Sequence, residues 1–138
     1  MKLLALTLAL AMATPAFATQ SHAAPGANMK EFWRASIHRE LVYCAGFYAV
    51  SINFFKDVKP EAARDAKDLK NGAIYFVAQL KVPEAESSRH LNMFQAELKR
   101  DYNYAGAYPK LFEAYAKKCD GVMNSFPGQY AKHYGIPK

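Results

Sequence analysis

The stretch from Asn28 to Val58 limits what this chain can fold into more than any other feature. Apolar residues fall at Met29, Trp33, Ile37, Leu41, Cys44, Tyr48, Ile52 and Phe55, always three or four positions apart, and so trace one face of an α-helix. A second strip, Phe32, Tyr43, Phe47, Val50, Phe54 and Val58, widens that face. Only the early part, with Lys30, Glu31, Arg34, His38, Arg39 and Glu40, reads as wet on one side. A helix this long and this apolar needs several partners. The small residues Cys44-Ala45-Gly46 at its centre let another backbone come close.

The partners follow in order. Lys59-Pro60 ends the first helix and opens a second, because proline disfavours helix in the residue before it and suits the first turn after it. There Ala62, Ala66, Leu69, Ala73, Phe76 and Leu80 repeat as a bundle-like seam. Asn71-Gly72 has the look of a turn, but the seam stays in phase across it, which favours one helix with a close contact or slight bend at Gly72. Val82-Pro83 repeats the punctuation, and Glu84 and Glu86 suit the positive end of a helix dipole. Leu91, Phe94, Leu98 and Tyr102 mark a third helix ending near Gly106, and Tyr108 to Phe126 a fourth. No strand-like alternation occurs. The expectation is an all-α, antiparallel four-helix bundle over residues 28–126, with an irregular tail over 127–138.

Ahead of the bundle lie two segments of another kind. Lys2, the apolar run Leu3 to Ala13 and the small residues Ala16-Phe17-Ala18 form a signal-peptide pattern over residues 1–18. The run is about a dozen residues, short of the roughly 20 a membrane span needs. Residues 19–27 read as a flexible lead-in, and Asn28 with Glu31 approximates a capping box. The expected product is exported, periplasmic or secreted, without a membrane span. In such a compartment Cys44 and Cys119, each on an apolar stripe, are expected to form a disulfide between the first and last helices. A redox pair would sit in Cys-x-x-Cys at an exposed helix start, which this chain lacks.

Chemistry is sparse. The Cys-x-x-Cys-His signature of covalent haem, Glu-x-x-His pairs and His-Glu-x-x-His are all absent. Glu86 and His90 are four apart and share a helix face, but two ligands make a poor zinc site, so neither metal nor cofactor is expected. Glu31, Arg34 and His38 share a face and form a polar patch, read first as solvated surface and only then as catalytic. The formal charge is +6, or +5 once Lys2 leaves with the leader, and it is spread without the basic block of a nucleic-acid arm.

The feature above background is aromatic and basic together: Arg100, Tyr102, Tyr104, Tyr108 and Lys110 surround the third helix-to-helix turn. Tyrosine and arginine anchor interfaces. The leading expectation is therefore a non-enzymatic exported protein that binds a macromolecular partner in the bacterial envelope, an inhibitor or immunity protein being one form. The alternatives are a carrier or sensor of a hydrophobic small ligand, motivated by Phe47, Phe54, Tyr75 and Phe76, and an enzyme using Glu31, Arg34 and His38.

Overall fold

A computed structural model of the chain describes residues 25–102 and 108–136, with side chains over 28–101 and 112–136. The leader and most of the lead-in fall outside the described residues. Four helices occur, α1 (Pro25–Phe55), α2 (Pro60–Gln79), α3 (Glu84–Tyr102) and α4 (Tyr108–Tyr134), with no strand among the described residues. None of these helices is long and apolar enough to cross a membrane.

The bundle expectation holds, with α1 as its hub. α1 packs against all three other helices, whereas α2 and α3 scarcely touch one another. Side-chain pairings give the register. Trp33 meets His133, Cys44 meets Cys119 and Phe47 meets Phe112, so α4 runs antiparallel to α1. His38 meets Ser87 and His90, Tyr43 meets Phe94, and Gly46 lies against Leu91 and Gln95, so α3 runs parallel to α1. A Cβ added at Gly46 would stand 3.7 Å from the Gln95 backbone nitrogen, the close approach expected of the small central residues. The Cys44–Cys119 disulfide joins buried positions with a Cα–Cα distance of 5.5 Å.

Proline sets the corners. Pro60 opens α2 after Lys59, whose amide still bonds the Phe55 carbonyl at 2.8 Å. Lys81 takes a left-handed φ of 53° in the turn before Pro83, and the Glu86 amide then bonds the Pro83 carbonyl. α2 runs unbroken through Gly72, where the Met123 side chain of α4 lies close, 3.2 Å from an added Cβ. Its buried residues are Ala63, Ala66 and Ala73, with Leu80 buried just beyond its end, so the seam is rotated slightly from the expected one and leaves Leu69 exposed.

Both boundaries of the bundle move outward. α1 is already helical at Pro25, the first described residue and one inside the expected lead-in, so Asn28 lies within the helix. At the other end the expected irregular tail is helix through Tyr134, with Pro127 inside α4. Proline removes one backbone bond and crowds the preceding turn. Tertiary packing overrides that cost here. Trp33 stacks on His133 at 4.6 Å, Tyr130 stacks on Tyr134 at 4.7 Å, and the Lys30 ammonium sits 4.0 Å from the centre of the Tyr134 ring.

Candidate functional site

His38 is the residue the sequence places wrongly. It was expected on the wet face of α1 with Glu31 and Arg34, yet it is 2 % exposed and covered by the start of α3. The reason is the short α2–α3 turn, which brings Glu86, Ser87 and His90 over α1 one turn beyond Arg34. His38 Nε2 lies 2.8 Å from the Ser87 hydroxyl, and the His38 and His90 rings are 6.0 Å apart. Glu31 and Arg34 remain at the rim as an ion pair of 3.3 Å. Glu31, Arg34, His38, Glu86 and His90 line an open cleft of about 470 Å³, together with Val82 and Pro83 of the α2–α3 turn.

The electrostatics of His38 follow from that position. Burial pulls its pKa below the ordinary 6.5; Glu86 opposes the shift, while His90 and Arg34 add to it. The ring is therefore neutral at neutral pH and carries a lone pair. The Ser87–His38 distance is that of a nucleophile–base pair, but among the described residues no carboxylate hydrogen-bonds the other ring nitrogen to orient it. His90 Nδ1 is buried, with no hydrogen-bond partner among the described residues.

Beside this cleft runs a second, apolar one. Because α2 and α3 diverge over α1, they leave an open groove of about 420 Å³, floored by Val42 and Ala45 and walled by Ile74, Val77 and Ala78 on one side and by Leu91 with Glu84, Ser87 and Ser88 on the other. Val82 lines both spaces and makes them neighbours. The aromatic residues expected to surround an interior cavity do not line this groove. Phe76 stacks on Phe126 at 4.5 Å, Phe47 packs on Phe112 and Tyr48, and Phe54 and Tyr75 point outward at 48 % and 62 % exposed. Helix geometry accounts for the error: aromatic count says nothing about which side of a helix meets a neighbour, and aliphatic residues line the gap instead.

Of the expected partner-binding residues, Arg100 is exposed and pairs with Asp101 at 3.5 Å. Tyr104 and the side chains of Tyr102, Tyr108 and Lys110 lie outside the described residues. The grouping of His38 with Glu86 and His90 had half a signal in the sequence, the four-residue spacing of Glu86 and His90. The third member came from 48 residues away and had none. No family model, curated protein or solved structure matches this chain.

Proposed function

We propose that this chain is an exported, non-catalytic binding protein that holds the apolar part of a small ligand in the groove between α2 and α3. The observation that carries the reading is the groove itself: its lining is mostly aliphatic with Glu84, Ser87 and Ser88 along the α3 side, its floor is kept low by Ala45, and its size falls in the range of small-molecule sites, roughly 300–1,000 Å³. The charged cleft beyond Val82 supplies polar groups for the ligand's other end. A second reading, a macromolecular partner, draws support from Ile74 and Tyr75, large apolar side chains exposed next to each other on α2.

Native mass spectrometry of the protein purified from the compartment it is exported to separates the two. A small molecule released on denaturation is the expected result. In parallel, the apolar dye N-phenylnaphthylamine should brighten on binding, and Ala78→Trp, which fills the groove from an exposed position, should abolish the signal. A bare chain whose dye response is unchanged by Ala78→Trp would remove the small-ligand reading and favour the macromolecular one.

A further inference from the structure

We infer that His38, Glu86 and His90 form a binding site for a zinc-class divalent cation, with two imidazole nitrogens and one carboxylate oxygen as ligands. The donor atoms of all three lie within 4.8 Å of one another, one residue buried, one half-buried and one exposed. Tetrahedral zinc, with bonds of about 2.0–2.2 Å, sets its donors about 3.3 Å apart. Closing the remaining gap needs about 1.5 Å at most, within the reach of side-chain rotation, which is least restricted at the exposed Glu86.

Independent observations point the same way. His38 is a buried imidazole at the inner end of the cluster, shielded from water where a ligand nitrogen is wanted. Its ring is held by the Ser87 hydroxyl 2.8 Å away, the kind of neighbour that fixes a ligating ring. His90 Nδ1 is buried without a hydrogen-bond partner among the described residues, a cost that coordination would remove. Glu86 and His90 sit one helical turn apart on α3, so their donors converge on the same side. The ion pair with Glu31 offsets the charge of Arg34 at the rim.

The donor set selects the ion. Imidazole suits zinc, copper, nickel and iron, whereas calcium and magnesium take oxygen shells. Three protein ligands leave one position open toward the cleft, as in sites where the metal holds an exogenous group. The three donors line the charged cleft that the proposed function assigns to the ligand's polar end, but none of them lines the apolar groove that carries that reading, so the dye test and the zinc test can fail separately.

The test is calorimetric titration of the purified mature protein with zinc chloride, with calcium chloride as a comparison. One equivalent of zinc should bind and calcium should not. Glu86→Gln and His90→Ala should each weaken binding by at least about tenfold, and His133→Ala should leave it unchanged. Cobalt in place of zinc should give the intense visible bands of a four-coordinate ion, lost in Glu86→Gln. Glu86 is exposed, so this variant keeps the test sound even if His90→Ala misfolds. Absence of saturable zinc binding, binding unaffected by Glu86→Gln, or binding lost instead in His133→Ala would each overturn the assignment.

Discussion

Replacing Tyr48 by phenylalanine is expected to stabilise this protein, although Tyr48 belongs to the core. The ring is 3 % exposed and packs on Phe47 at a centroid distance of 5.4 Å, contacts that phenylalanine keeps. The hydroxyl contributes differently, because it is buried with no hydrogen-bond partner among the described residues. An orphaned polar group costs about 1–3 kcal/mol. Deleting the oxygen leaves a void of about 10–15 Å³, which at about 24 cal/mol per Å³ costs only ~0.3 kcal/mol. The balance favours Tyr48→Phe by about 1 kcal/mol, or about 4 °C in Tm for a domain of this size.

The same hydroxyl makes an alkaline prediction whose sign follows from its pKa. Burial, and secondarily the charge of Asp120, raise it from 10.0 to about 12. Between those values the native state keeps a proton that the unfolded chain has released. Stability is therefore intact below pH 10 and falls as pH rises toward 12. Thermal melts of both proteins, followed by circular dichroism at neutral pH and again above pH 10, read both effects; the variant's advantage should widen in the alkaline series. A Tyr48→Phe variant less stable than the wild type at neutral pH would show that the hydroxyl is satisfied, and would refute the reasoning.

Three further outcomes are expected. The Cys44→Ala/Cys119→Ala pair releases a loop of 75 residues, which chain entropy values at up to about 4.5 kcal/mol, and urea unfolding should show most of that loss without a change of fold. In the presence of a chelator, stability should fall as pH drops below 6.5, since the unfolded chain takes up a proton that buried His38 resists; His38→Gln should flatten that acid limb in the same melts. Truncation before Tyr130 removes His133 and Tyr134 from around Trp33, leaving Phe126, and should cost about 3 kcal/mol in denaturant titrations, with emission of this single tryptophan moving to the red.

Local patterns were legible wherever they depend on neighbours within a helix. The apolar spacing of α1, the proline corners at Pro60 and Pro83, and the convergence of Glu86 with His90 all rest on contacts three to four residues apart. The C-terminal boundary was not, because Pro127 and Gly128 signal a break that is overruled by contacts from far away in the chain, Trp33 on His133 and Lys30 on Tyr134. The candidate site was half legible for the same reason. Glu86 and His90 could be paired on paper, but the burial of His38 depends on how α3 crosses α1.

The sequence by itself determined that the chain makes long amphipathic helices, that proline separates them, and that two cysteines on apolar stripes become joined. Those properties are set by residue spacing and by the fixed φ of proline. The tertiary structure alone decided that α1 touches every other helix while α2 and α3 part company. That divergence opens the aliphatic groove, and the α2–α3 turn lays Ser87 and His90 over His38. Helix rotation and crossing are fixed by side chains distant in sequence meeting in space, and a periodic pattern carries no record of them.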